Sequence, residues 1–470
     1  MALLDVSLTD RFDLSKRSVL LNGTQALVRL MLAQRARDAS AGLDTAGYVT
    51  GYRGSPLGAV DLQMARARKE LQASNVHFQP GLNEDLAATA VWGSQQASMS
   101  GEGRHQGVFA LWYGKGPGVD RSGDVMRHAN MAGTAEYGGV LMAMGDDHTG
   151  ESSTVLHQSD WALVDVHMPV LAPTGVQEIL DLGHYGFALS RYAGVWVGLK
   201  TMKETVEATS VVDGDPNRMR FAMPDFPMPP GGLNIRPGDE RIAQEERLLA
   251  HKRFAAEAFA RANKIDRRMM GKPGAKIGFL AAGKTWLDLV HALDLLGIDE
   301  REAERLGITT YKVGQTWPLD MASLTEWAEG LSLIVVVEEK RKLLEVQVKE
   351  AIFDDRRGRR VYGYKDGDGQ VLFPTHWALD PLDIARKLGT ILIEEGRRTD
   401  RIEAGIAAIV EAQRADNAPE LGERPPWFCS GCPHNTSTKV PEGARGGAGI
   451  GCHFMVKWMD RDTEAFTHMG

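Results

Sequence analysis

All three cysteines of this 470-residue chain fall in one stretch near its end, Cys429 and Cys432 in CSGCPHN and Cys452 in GIGCH. Thiols gathered this way ask for metal or redox chemistry. A CxxC redox pair would leave Cys452 without a role. A zinc site could recruit His434 and His453, since structural zinc takes four Cys or His ligands. An iron–sulfur cluster takes cysteine thiolates, and three are available here. Unliganded thiols are the fourth reading, and spacing alone leaves the choice open.

A second set of chemistry-bearing residues lies in Gly-rich loops of the first 150 residues. GYRGSPLG carries Arg53, Gly54 and Ser55, a cation and a hydroxyl amid exposed backbone N–H groups, parts suited to holding a small carboxylate. YGKGPG adds Gly114 and Lys115, and GDDHTGESST adds His148 and further hydroxyls. In GLNEDLAATAVWG, Asn83 is a good helix N-cap, with Glu84 and Asp85 in the first turn where the macrodipole favours acids. Capping explains that stretch by itself; a carboxylate held at a helix start beside a ligand-binding strand end equally suits a catalytic acid.

Positioning these loops requires a sheet. AGYVTG, GVFALWYG, GGVLMAMG and AGVWVGLK read as short apolar strands, each handing over through glycine to a helical pattern. Such alternation predicts an α/β fold of doubly wound, mostly parallel sheets, whose ligands bind beyond the carboxyl ends of strands. Gly54, Gly114 and Asp146 are expected at those ends. Residues 214–238 hold six of the twenty prolines and read as a linker. The charged run from Asp239 to Met269 reads as a solvated bridging helix. A second α/β unit follows, with strands in AKIGFLAAG, GITTYKVG and LSLIVVVEEK. The net charge of −8 argues against nucleic acid or anionic membrane as the main partner. With no apolar run of membrane-spanning length and no secretory leader pattern, the expectation is a cytoplasmic protein.

Together, TGYRGSPLG, GLNEDLAATAVWGSQ, WYGKGPGVDRSGDVMRHAN, GDDHTGESST and CSGCPHNTSTKVPEG…GIGCHFM resemble the long-form indolepyruvate ferredoxin oxidoreductases, which are thiamine-diphosphate-dependent 2-oxoacid:ferredoxin oxidoreductases. The resemblance runs over essentially the whole chain in five ordered motifs. It implies a thiamine-diphosphate pyrimidine-binding-type domain at 1–215, then a Pro-rich linker and bridging helix at 216–272. A transketolase C-terminal-like domain with a tail follows at 273–426, and the start of the diphosphate-binding domain at 427–470. The family's GDG motif for Mg²⁺ and the diphosphate, and its fourth cluster cysteine, match nothing in the sequence, so the chain is expected to be an N-terminal portion. Gly367-Asp368-Gly369 is not that motif: it lacks the following Asn, and its flanks RRVYGY and QVLFP suggest a hairpin turn.

The resemblance also implies roles. Glu84 falls where the family's glutamate hydrogen-bonds the cofactor's N1′ nitrogen and promotes loss of the thiazolium proton. Gly54 and Gly114 fall in cofactor-facing loops. Arg53, Ser55, Lys115 and His148 fall where the 2-oxoacid is bound, although a Ser-Pro stands here where relatives have Thr-Pro. Cys429, Cys432 and Cys452 match three ligands of a [4Fe–4S] cluster, and their sulfurs are expected to converge. The implied partners are a 2-oxoacid, coenzyme A, ferredoxin and a second copy of the chain in a homodimer.

Overall fold

Alternation within the strands decides the architecture. In the strand Gly107–Lys115, Phe109, Leu111 and Tyr113 pack into one apolar cluster while Ala110 and Trp112 pack into another. Val140–Asp146 repeats the division, with Leu141 and Ala143 opposite Val140, Met142 and Met144. Strands buried on both faces need helices on both sides, which is the environment of parallel sheets. The computed structural model, which describes residues 7–150, 156–355, 357–416, 422, 424–447, 449, 451–461 and 463, has this form.

The first sheet runs in the order Gln315–Trp317, Val170–Leu171, Trp196–Met202, Val140–Asp146, Gly107–Lys115, Thr45–Gly51, Val76–Phe78. Every neighbouring pair is parallel except the first. The helices Gly23–Ser40 and Val176–Ala193 cover one face. They pack so closely that a Cβ on Gly183 would lie 2.4 Å from Cδ2 of Leu30. Ala87 and Val91 of the helix Glu84–Gln96 and Met126 of Gly123–Ala132 join Trp112 and Trp196 on the other face.

The second sheet has the order Arg360–Tyr362, Leu333–Val336, Ile277–Ala282, Ile308–Val313, Arg267–Met270, with only the last strand antiparallel. It is again buried on both faces, Phe279 and Val335 on one and Leu280 and Val336 on the other. Mostly parallel, helix-covered sheets are the predicted fold class. Gly54 follows the end of Thr45–Gly51, Gly114 is penultimate in its strand and Asp146 is last in its own.

Three features depart from the sequence reading. The strand Gln315–Trp317 follows a strand of the second sheet yet pairs with Val170–Leu171 at the edge of the first. The suggested hairpin around Gly367 is reduced to a turn: Arg360–Tyr362 instead pairs parallel with Leu333–Val336, and only the Lys365–Val371 bridge is antiparallel. Here Asp366 caps the turn, its carboxylate accepting from the Asp368 and Gln370 amides.

The third departure is the charged helical run, which is not a solvated bridge. Ala255, Ala256, Phe259 and Ala260 of the helix Arg253–Asn263 are buried in the core of the first half, with Phe259 against Tyr185 and Tyr192. A narrow apolar stripe buries one face while charges occupy the rest. In the π-turn Leu248–Lys252, Lys252 is wholly buried. Its Nζ donates to the carbonyls of Gly194 at 2.8 Å, Asn130 at 3.1 Å and Met131 at 3.4 Å. Lys252→Met keeps the bulk but strands these buried acceptors, so it should destabilise the protein by about 2–4 kcal/mol. A urea titration checks this; an unchanged midpoint would show that the ammonium ties contribute nothing.

Candidate active site at the carboxyl edge of the first sheet

Three loops leave adjacent strands and interlock. After Thr45–Gly51, the Tyr52 amide donates to the Tyr113 carbonyl at 3.0 Å, and the Gly81 amide donates to the Gly51 carbonyl at 2.8 Å. Gly54 rests on Lys115, where a Cβ would come within 2.9 Å of the lysine Cδ. Arg53 is exposed beside them and Ser55 is half-buried, facing a groove of ≈ 330 Å³ shared with Asn22, Thr24 and Glu207.

Glu84 opens the helix Glu84–Gln96 and is only 8 % exposed. The capping duty falls to Asn83, whose side chain accepts from the Leu86 amide at 2.8 Å. Trp112 Nε1 donates to the Glu84 carbonyl at 3.0 Å, pinning the helix start over the sheet. The Glu84 side chain lies against Gly118 of the short helix Gly116–Arg121: a Cβ there would fall 2.4 Å from its Cγ and 2.7 Å from Oε1. Glycine is therefore required opposite this carboxylate, which is turned toward a neighbouring loop rather than spent on its own helix.

His148 lies elsewhere, at the junction of the two halves. It is buried, and its Nδ1 is 2.6 Å from Glu339 Oε2, a residue just past the strand Leu333–Val336. Glu339 also accepts from Lys284 Nζ at 2.6 Å, and Lys284 in turn pairs with Asp288 at 2.9 Å. On the first-half side, Asp146 accepts from the Ser159 amide at 2.9 Å and from its hydroxyl at 2.5 Å, with Lys200 at 3.7 Å and His148 Nε2 at 3.9 Å. Lys200 Nζ donates to Asp160 at 2.5 Å. A cavity of ≈ 60 Å³ lies among His148, Lys200, Lys284, Asp160, Glu338 and Glu339.

Burial pulls Asp146, Glu339, Lys200, Lys284 and Asp288 toward neutrality, and their partners decide the outcome. For Asp146, burial is outweighed by His157, Lys200 and His148, which bring its pKa down to about 2. Burial of Glu339 is likewise overcome, by His148 and Lys284, again to about 2. Desolvation would lower Lys200 and Lys284, yet Asp160 and Asp146 raise the first, and Glu339 and Asp288 the second. Asp288 goes the other way: burial lifts it to about 6 because Lys284 only partly offsets the cost.

Sequence reasoning named Asp146 and His148 from GDDH but passed over Asp120, His157, Ser159, Lys200, Lys284 and Glu339. For Glu339 the signal was present in VVVEEK, an acidic pair closing a buried strand. Glu151, Ser152, Ser153 and Thr154 of the GDDHTGESST motif lie outside the described residues.

The cysteine segment sits apart from these loops in the chain. Cys429 and Cys432 share one turn, with the Cys432 amide donating to the Cys429 carbonyl at 3.0 Å, while Cys452 belongs to the 3₁₀ helix Gly451–Trp458. The two segments meet through the stacked rings of His434 and His453, 5.8 Å apart, and Cys432 Sγ is 3.2 Å from His434 Nδ1. None of the three thiols is in a disulfide. The expected convergence is not seen: among the described residues no group of three or more Cys, His, Asp or Glu is placed to hold a metal ion. The histidine stack, rather than a common centre for the sulfurs, joins the segments.

Among the described residues no helix is long and apolar enough to cross a membrane. Residues 267–416 match the indolepyruvate oxidoreductase domain. The indolepyruvate oxidoreductase subunit IorA of Methanothermobacter marburgensis is 23% identical over 388 residues, covering 83% of this chain and 56% of that protein. The IorA subunit of Pyrococcus horikoshii is 26% identical over 435 residues, covering 91% of this chain and 59% of its own length. The chain thus spans little more than half the length of the curated relatives it matches. A solved 2-oxoglutarate:ferredoxin oxidoreductase from Magnetococcus marinus shares the fold, with a TM-score of 0.54 at 15% identity over 80% of this chain and 66% of that one. With an indolepyruvate oxidoreductase domain at 267–416, the chain is similar over most of its length to the IorA subunits of indolepyruvate oxidoreductases.

Proposed function

We propose that this chain provides the pyrimidine-binding side of a thiamine-diphosphate-dependent 2-oxoacid:ferredoxin oxidoreductase. The reaction is oxidative decarboxylation of indolepyruvate, or another aryl or branched 2-oxoacid, to its acyl-coenzyme A, with electrons passed to ferredoxin. The observation that carries this reading is the buried Glu84 carboxylate, held at a helix start against Gly118 beside the interlocked strand-end loops. Such a site fits an aminopyrimidine, because a water-excluded carboxylate next to a side-chain-free loop can hold one proton on a ring nitrogen. When bound, thiamine diphosphate supplies the nucleophilic carbon and the electron sink for decarboxylation.

The chain's own residues have distinct tasks in this scheme. Glu84 holds the proton on the pyrimidine. Gly54 and Gly114, packed without side chains on Lys115 and Trp112, are the glycines of the cofactor-facing loops, and Arg53 and Lys115 present cations to the substrate carboxylate beside the Ser55 hydroxyl. His148, which the resemblance places at the substrate, is committed to Glu339 at the junction of the two halves, and its part in substrate binding would run through that pair. Domain roles follow the same assignment: pyrimidine binding in 1–215, a transketolase C-terminal-like unit in 273–426, and the opening of a diphosphate- and Mg²⁺-binding unit in 427–470. Catalysis is assigned to the homodimer completed by the remainder of the enzyme.

Glu84→Gln in the assembled enzyme should lower turnover by about 10² or more, the scale of lost acid–base help. Wild-type turnover in that variant would refute the assignment.

Cys429, Cys432 and Cys452 are assigned as [4Fe–4S] ligands on donor chemistry, three thiols free of disulfides in one segment. The two segments must then close on the cluster as it binds. Replacing Cys432 by Ser in the anaerobically purified enzyme should remove iron and ferredoxin reduction while leaving thiamine diphosphate binding intact. Retained iron, or zinc in its place, would overturn the assignment.

A further inference from the structure

We propose that His157 is a positioning residue for Glu84: bridged between Asp120 and the Ser159–Asp146 pair, its imidazolium clamps the Gly116–Arg121 segment against the Glu84 carboxylate. The inference rests on the function proposed above.

The segment is gripped from two sides. Gly118 lies against Glu84, and two residues earlier Gly116 lies against His157, where a Cβ would fall 2.3 Å from the imidazole Cγ. The same segment offers Asp120, whose Oδ2 is 2.7 Å from His157 Nε2. On the far side of the ring, Nδ1 is 3.3 Å from Ser159 Oγ and 3.7 Å from Asp146 Oδ1. Ser159 Oγ donates to Asp146 at 2.5 Å, so it accepts from His157. The hydrogen-bond chain Asp120–His157–Ser159–Asp146 is complete only when both ring nitrogens carry protons, because neutral imidazole has a single N–H. Asp146 ends a central strand and is fully buried, so the clamp is anchored in the rigid sheet.

The charges around the ring favour that state. Asp120 faces it from the clamped segment and Asp146 from the strand, with Lys200 and His148 beyond Asp146. Lys340 and Arg341 line the same cleft from the second half. Burial would lower the His157 pKa, but Asp146 and Asp120 outweigh it and raise the pKa above the ordinary 6.5. The folded state therefore binds the proton more tightly. The clamp is whole below the ordinary histidine range and is lost as pH rises through the raised value.

The test uses the assembled enzyme with a 2-oxoacid and ferredoxin, with kcat and KM measured across the pH range. His157→Gln can still donate a hydrogen bond but carries no charge and does not titrate. Misplacement of Glu84 should lower kcat by about 10- to 100-fold. KM for the 2-oxoacid should stay within about twofold, because Lys115 is held by its strand and the clamp acts on the segment after it. The wild type should lose kcat as pH rises through the raised His157 value, and this alkaline fall should be absent in the variant. Asp120→Asn, at a surface position, should weaken kcat in the same sense and decides the matter if His157→Gln misfolds. Wild-type kcat with a wild-type alkaline limb in the folded variants would overturn the proposal. Loss of activity in Glu84→Gln with normal His157→Gln defeats only this inference; full activity in Glu84→Gln defeats the parent reading.

Discussion

A parallel sheet buried on both faces leaves its polar chemistry few places to go. Gly107–Lys115 and Val140–Asp146 are apolar on both sides along their length, so the first charged groups emerge at their carboxyl ends as Lys115 and Asp146. The same holds in the second sheet, where Leu333–Val336 runs into Glu338 and Glu339. The fold thereby collects cations, acids and glycines at strand ends without any requirement that they be near in sequence.

Burial at those ends makes the groups costly unless paired, and the pairing ties the two halves together. His148 and Glu339, from different sheets, satisfy each other, and Lys284 completes the exchange. The edge strand Gln315–Trp317 makes the same connection through the backbone. Breaking one partner of such a cluster leaves an uncompensated buried charge, which is why these groups act as a unit. The Gly116–Arg121 segment that packs on Glu84 is attached to this frame at Asp146, through Ser159, His157 and Asp120.

Much of this was legible in the sequence. Apolar runs ending in glycine marked the strands, and GLNED marked the helix start at which Glu84 is buried. Local pattern does not encode which distant elements meet. Gln315–Trp317 is three residues long, and its pairing with Val170–Leu171 depends on tertiary placement alone. His157 lies outside the five motifs and Asp120, though inside WYGKGPGVDRSGDVMRHAN, carries no spacing signal of its own; the approach of Gly116 to the imidazole reveals the pair. The charged helix misled because four small or aromatic residues, Ala255, Ala256, Phe259 and Ala260, form a stripe too narrow to stand out among its charges. The cysteine spacing pointed to shared chemistry, while the fold of each short segment, joined by His434 and His453, was not readable from it.

The proposed function stands on Glu84 as the acid that meets the pyrimidine of thiamine diphosphate. It is tested most directly by an experimental structure of the assembled enzyme with that cofactor bound. In that structure the Glu84 carboxylate should lie within hydrogen-bond reach, about 2.6–3.2 Å, of the pyrimidine nitrogen N1′, with Gly118 alongside. A pyrimidine ring bound away from Glu84, with that carboxylate still packed only on Gly118, would contradict it.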